Sequence, residues 1–195
     1  MIERSALKLL ISLALLSALA AILYYPISIP LILFTIFTAY FFRDPERRIG
    51  DGVVSPADGK IDYVSRNRLE IFMSPLDCHV NRSPTKGRVL RVEFREGKVV
   101  PAYRRKKGVR MNEITIEAED GIYRVFQIAG IFARRIVCYV KEGEEVEKGQ
   151  RIGLIRFGSR VVLEIPEGYR FVKKVGDKVK AGETVAVRDE DFSRS

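Results

Sequence analysis

Histidine occurs once in these 195 residues, cysteine twice and tryptophan not at all. With His79 alone, a phosphoryl carrier that needs one histidine to take the phosphate and a second to support it is excluded, although Ser55-Pro56-Ala57-Asp58-Gly59 resembles a segment of such carriers. Two cysteines make no disulfide framework, and neither Cys78 nor Cys138 lies in a pair with metal-ligand spacing, so no metal is expected and a reduced setting fits. Cys138, within Ile136-Val137-Cys138-Tyr139-Val140, reads as a small buried hydrophobe. Cys78 and His79 are neighbours, and neighbours on an extended segment point to opposite faces, which argues against a thiol-imidazole nucleophile.

Charge is missing between Lys8 and Arg43. Residues 9–25 and 27–42 are almost wholly apolar, each a little short of the roughly 20 residues that cross a bilayer. Pro26 and Pro30 fall between them, and the pattern predicts two helices joined by a tight proline-containing turn. Arg4 and Lys8 before the pair, and Arg43, Arg47 and Arg48 after it, put both outer ends on the cytoplasmic side of a membrane. A signal peptide ending near Ala18-Leu19-Ala20 is the rival reading, but its removal leaves a second apolar run on the mature protein. The net charge of +9 and pI near 9.7 require an anionic partner. The apolar N-terminus selects an acidic membrane surface over nucleic acid.

From residue 43 onward the chain changes character, and Asp44-Pro45 stops the second helix. Short alternating runs rich in β-branched residues recur at 59–64, 69–73, 88–94, 113–117 and 121–126, separated by turn residues, which predicts a mainly β domain. Residues 141–152 align with 174–185, glycines and aliphatics in register. This paired-hairpin signature resembles the barrel-sandwich hybrids of biotinyl and lipoyl domains. Those carriers present a lysine between their two halves; here Gly158-Ser159 occupies that place and no Met-Lys-Met or Asp-Lys-Ala triplet is present. Taken alone, Gly-Ser between apolar runs is a turn.

The surroundings say more. Gln127-Ile128-Ala129-Gly130-Ile131-Phe132-Ala133-Arg134-Arg135-Ile136-Val137, continuing through Lys148-Gly149-Gln150-Arg151 to Phe157-Gly158-Ser159, resembles the C-terminal half of a phosphatidylserine decarboxylase of the short type. The likeness extends through Phe41-Phe42-Arg43-Asp44-Pro45, Ser55-Pro56-Ala57-Asp58-Gly59, Asp77-Cys78-His79-Val80-Asn81-Arg82-Ser83-Pro84 and Asn112-Glu113, and so spans most of the chain. It implies that the protein cuts itself between Gly158 and Ser159, leaving chains 1–158 and 159–195 together as a two-chain heterodimer. Ser159 then becomes an N-terminal pyruvoyl group, a covalent electron sink for decarboxylating a serine-headed phospholipid to the ethanolamine lipid. Residues 1–42 are the expected membrane anchor and 43–195 the catalytic domain, at the cell membrane on its cytoplasmic side.

The same resemblance makes His79 the active-site histidine and Asp58 its partner in a self-cleavage triad, where an aspartate orients the imidazole and stabilises its cation. Read from its neighbours alone, Asp58 is a turn residue. Longer members carry a second histidine where Arg82 stands, so His79 serves both steps or Arg82 replaces one electrostatically. The arginine expected after Asn112-Glu113 is Ile114, and no role is carried over there. Arg82, Arg110, Arg134 and Arg135 are the candidates for the lipid phosphate and serine carboxylate, which guanidinium forks match. The run Arg104-Arg105-Lys106-Lys107 suits anionic headgroups or a solvated loop. The composition, rich in Glu, Lys and Arg, suits a thermophile. An archaeal source makes archaetidylserine the substrate. Two alternatives stand beside this: a membrane-tethered carrier or binding module that is never cut, and a pyruvoyl decarboxylase acting on a soluble amino acid. The sequence leaves the oligomer open.

Overall fold

A computed structural model describes residues 2–3, 6–97, 108–130, 136–156 and 159–192. The chain divides into two units, residues 1–46 and 47–195.

The first unit is a helical hairpin of α1 (Leu7–Leu23) and α2 (Tyr25–Phe41). The prolines do not form its turn, as the sequence suggests they would. Tyr24 alone joins the helices, Pro26 enters the first turn of α2, where its missing N–H breaks no helical bond, and Pro30 lies inside the helix at the loss of one. Hydroxyls along both helices bond to carbonyls one turn back, Ser17 to Leu13 at 2.8 Å and Thr35 to Leu31 at 2.8 Å, and Ser17 meets Thr35 across the hairpin at 3.2 Å. The outer faces, including Leu15, Ile22, Leu23, Leu33 and Ile36, are exposed and apolar. Among the described residues, no helix is long and apolar enough to cross a membrane.

The second unit is mainly β, as the alternating runs predict. Its strands are β1 (Val53–Val54), β2 (Gly59–Val64), β3 (Arg68–Met73), β4 (Val80–Arg82), β5 (Gly87–Arg95), β6 (Met111–Ala118) and β7 (Gly121–Ala129). They continue through β8 (Ile136–Cys138), β9 (Glu145–Val146), β10 (Arg151–Ile155), β11 (Ser159–Glu164), β12 (Tyr169–Phe171), β13 (Lys178–Val179) and β14 (Thr184–Arg188), before a last turn of helix, α3 (Asp189–Phe192).

The long sheet runs β13-β2-β3-β11-β7-β6-β5-β9, and the two short sheets run β1-β14-β12 and β4-β10-β8. These orders are the same on exchanging β1 with β4, β2 with β5, β3 with β6, β11 with β7, β12 with β8, β13 with β9 and β14 with β10. The unit is therefore two similar halves about a pseudo-two-fold axis, in the manner of a barrel-sandwich hybrid. The sequence carries this likeness twice: in the repeat of residues 141–152 and 174–185, and in Ser55-Pro56-Ala57-Asp58-Gly59-Lys60-Ile61 against Ser83-Pro84-Thr85-Lys86-Gly87-Arg88-Val89. The backbone bonds are reciprocal, Val54 N–H to Pro84 O at 3.0 Å and Arg82 N–H to Pro56 O at 2.9 Å.

One half is nested within the other. Strands β4 to β10 are continuous in sequence, whereas β1 to β3 and β11 to β14 form one half split around them. In the continuous half, β6 and β7 close as a hairpin through Glu119-Asp120; in the split half the matching pair, β3 and β11, is open at the same end, and the whole continuous half is inserted there.

The repeated segments make one kind of turn four times, each with glycine in third place. In the first turn of each repeat, Lys141 N–H and Lys174 N–H donate to the carboxylates of Glu144 and Asp177, both at 3.0 Å, with Gly143 and Gly176 at φ 83° and 101°, a region that a side chain disfavours. Between the sheets, Ile61, Leu69, Ile71, Ile114, Val125 and Leu163 are completely buried, each stabilising the fold by roughly 1.5–3 kcal/mol. Cys138 is only half-buried at the edge of this core, because β8 is an edge strand of its short sheet, while Cys78 is buried as a core residue.

Candidate active site

Two joints connect the nested half to its host: residues 74–79 between β3 and β4, and residues 156–158 between β10 and β11. Because β3 pairs with β11 and β4 with β10, the strand ends that flank the two joints are partners, Met73 with Ser159 and Val80 with Leu154. One carries His79 and the other leads into Ser159.

The first joint opens on a turn. Ser74 directs both its N–H and its hydroxyl at the Asp77 carboxylate, each at 2.7 Å, and Asp77 N–H returns to Ser74 O at 3.0 Å. That leaves the Asp77 carbonyl facing His79 Nδ1 at 2.9 Å. A carbonyl only accepts, so Nδ1 carries the hydrogen and Nε2 of the neutral ring holds the lone pair, the form a general base needs. The ring is completely buried, and the His79 carbonyl takes the Ile155 N–H at 3.3 Å, tying this joint to the strand that leads into the other.

Ser159 is the first residue of β11, completely buried between Met73 of β3 and Ala129 of β7. Its hydroxyl donates to Met73 Sδ at 3.2 Å. Behind that sulfur stands a row of buried amides. Asn81 Nδ2 lies 3.9 Å from Met73 Sδ, Gln127 Nε2 donates to Asn81 Oδ1 at 2.8 Å, and Asn112 Nδ2 donates to Gln127 Oε1 at 2.9 Å. On the other face of the strand, Arg160 is nearly buried and binds Asp62 at 2.6 and 2.5 Å and Glu70 at 2.7 Å.

Asp58 lies in the turn before β2. Its Oδ2 faces Arg47 at 2.6 Å and its Oδ1 accepts the Ala181 N–H at 2.8 Å. It thus pins the turn at residues 180–183, as a turn aspartate does, while the acceptor facing His79 Nδ1 is the Asp77 carbonyl. In the pseudo-symmetric position Lys86 reaches Glu147 at 3.0 Å. Arg82, also buried, donates to the Gly149 carbonyl at 3.0 Å. Arg110 is half-buried, 3.7 Å from Glu96, and its carbonyl accepts the N–H of Ala129, the strand partner of Ser159. Gly158, Arg134, Arg135 and the basic run at 104–107 lie outside the described residues. Among the described residues no group of three His, Cys, Asp or Glu side chains gathers to hold a metal.

The profile of the family described as phosphatidylserine decarboxylase matches residues 34–70 and 62–187. The chain belongs to that family. A putative archaetidylserine decarboxylase proenzyme of Archaeoglobus fulgidus is 65% identical over 195 residues, all of both chains. A phosphatidylserine decarboxylase proenzyme of Streptomyces coelicolor is 49% identical over 77% of this chain and 72% of its own. A putative archaetidylserine decarboxylase proenzyme of Methanococcoides burtonii is 43% identical over 81% of this chain and 78% of its own. Within the family's likeness to this chain, Asn81 and Asn112 gain a structural place that sequence reasoning did not give them. Gln127 stood only as the first residue of the stretch that carries the family resemblance, and Met73 and Arg160 were given no role in the sequence. Their partners come from other strands, up to 98 residues away for Arg160 and Asp62, and only the Gly-Ser dipeptide beside Arg160 pointed to that spot.

Proposed function

We propose that this decarboxylase cuts itself between Gly158 and Ser159 and then converts a serine-headed phospholipid to its ethanolamine counterpart. Membership of the family, with full-length likeness to a named decarboxylase proenzyme, supports the reaction. The observation that carries the self-cutting is the place of Ser159, buried at one joint of the nested half beside the joint that bears His79.

His79 Nε2 takes the Ser159 hydroxyl proton as Oγ adds to the Gly158 carbonyl carbon, and gives it to the Ser159 nitrogen as the C–N bond breaks, leaving an ester. Loss of the Ser159 α-proton then breaks Cβ–Oγ, so that Gly158 leaves as a carboxylate. Water replaces the nitrogen, which departs as ammonia, and a ketone remains at residue 159. That pyruvoyl group supplies the electron sink for the departing carbon dioxide. The site fits it, because residue 159 is held by strands on both sides and would stay in place as a free chain end. His79 returns a proton to the headgroup carbon after carbon dioxide leaves. Asp58 supports the self-cutting as a fixed negative charge, and the cationic set of Arg82, Arg110, Arg134 and Arg135 receives the headgroup phosphate and carboxylate. Of the two that the structure describes, Arg110 is more exposed than Arg82. The apolar hairpin of α1 and α2 anchors the enzyme in the cell membrane with the catalytic unit on the cytoplasmic side, its backbone and hydroxyls bonded internally as a lipid setting demands. The kinship to archaetidylserine decarboxylase proenzymes supports an ether lipid as substrate.

Intact mass under denaturing conditions tests the reading. Wild type is expected as two chains meeting at 158/159, the smaller with a blocked, ketone-reactive end, and Ser159→Ala as one. Carbon dioxide release is expected from archaetidylserine in bilayers and not from free serine. A wild-type chain that stays whole in bilayers overturns the reading in favour of a membrane-tethered binding module.

A further inference from the structure

We infer that Met73 is a positioning residue for self-cutting, a thioether that the buried amides of Asn112, Gln127 and Asn81 hold against Ser159, and that serves the site both before and after the cut. The inference rests on the self-cutting proposed above.

Before the cut, Oγ needs a direction but not a strong partner. A thioether is a weak acceptor, so the 3.2 Å contact aims the hydroxyl while leaving little to break when His79 takes its proton. After the cut, Oγ has left with Gly158 and Cβ has become a methyl group. A carboxylate or amide acceptor in place of the sulfur would then be buried without the Ser159 hydroxyl as its donor, which is costly. A thioether packs against a methyl group as readily as it accepts from a hydroxyl.

The amide row explains why this methionine is fixed. Each amide donates toward the next in one direction, Asn112 to Gln127 to Asn81, and the row ends on the sulfur. All three are at most 1% exposed, in strands of three different places in the chain, where apolar side chains would fill the space at less cost. Room has been left for the row. A Cβ on Gly153 would come within 2.6 Å of Gln127 Nε2. Asn81, in β4, also stands two residues beyond His79, so the row that steadies the nucleophile is fixed close to the base along the chain.

The rate of cutting, followed by gel after cell-free synthesis, separates this role from simple packing. Met73→Leu fills a similar volume without an acceptor and is expected to cut about tenfold more slowly. Its melting temperature should stay within a few degrees of wild type. A second comparison avoids any change of shape. In a Met111→Leu background, norleucine in place of methionine removes the sulfur of residue 73 and should slow cutting, while selenomethionine keeps an acceptor and should restore it. Cutting at the wild-type rate by Met73→Leu and by the norleucine protein overturns the inference, as does a loss of cutting that selenomethionine shares. In either case a wild type that cuts leaves the self-cutting standing; a wild type that never cuts removes both.

Discussion

Arg160, the residue that follows Ser159, closes its guanidinium on Asp62 at 2.6 and 2.5 Å. With Glu70 at 2.7 Å on the same group and Arg68 at 2.9 Å on the far oxygen of Glu70, the start of β11 is bolted to β2 and β3 by charge as well as by backbone. Arg160→Met leaves two carboxylates without this partner and is expected to cost about 3 kcal/mol. Urea unfolding in a Ser159→Ala background, where no cutting complicates the transition, measures it. Arg160→Lys should recover only part of the loss, since one ammonium cannot reproduce the fork.

The single histidine permits a sharp test. His79→Gln retains a donor for the Asp77 carbonyl and should fold, with a melting temperature near that of wild type. Without the basic nitrogen, cutting should slow by roughly 10²–10⁴-fold. Intact mass over a time course reads the outcome; unchanged cutting would assign the base elsewhere.

Asp58 joins Arg47 to the turn before β14. Asp58→Asn keeps an oxygen for the Ala181 N–H and loses the charge opposite Arg47, so its destabilisation should be smaller than that of Asp58→Ala, for which about 1–3 kcal/mol is expected. Thermal unfolding of both variants in the Ser159→Ala background gives the order. If Asp58 supports self-cutting by charge, Asp58→Asn also cuts more slowly than its stability alone accounts for.

Glu183 sets a pH dependence. Burial pushes its carboxyl up, but the Lys173 ammonium and the Lys180 N–H outweigh that and hold it below the usual value of 4.5. A carboxyl depressed in the folded state contributes stability above the unfolded value and loses it as pH falls through the folded one. Stability should therefore decline below about pH 4.5, and Glu183→Gln should make that decline shallower. Melting temperatures between pH 3 and pH 6, on the order of one unit either side of that value, compare the two slopes.

The alternating runs gave away the strands, because each buries one face. Ile114, Ile116 and Val125 alternate with exposed or half-exposed neighbours, as a one-sided sheet requires. The repeat at 141–152 and 174–185 disclosed the two-fold character. Its earlier counterpart, Ser55-Pro56 against Ser83-Pro84, was equally visible but too short to stand out, and without it the nesting of the halves could not be drawn. The prolines of the hairpin misled because they were read as breakers, when a proline in the first turn of a helix costs nothing. Ser159 and His79 were singled out through resemblance, and the structure buries both where the nested half joins its host. The row from Asn112 to Met73 was not legible, since each amide sits in its own strand and nothing in its neighbours distinguishes it from a surface residue. Nor were the bonds of Asp58: pairing with Arg47 and Ala181 depends on how distant turns meet.

The nesting of one half inside the other has a consequence for the molecule's history. While the chain is whole, refolding is a first-order event and its rate does not depend on concentration. Cutting at the second joint leaves β11 to β14 on a separate chain, though they complete the half begun by β1 to β3. The two chains then leave each other only by unravelling a shared sheet, and once parted they must find each other in a second-order encounter that dilution slows. Under the self-cutting proposed above, maturation of this fold is a one-way passage: a chain assembled in a single piece becomes a pair that persists by slow unfolding rather than by ready reassembly.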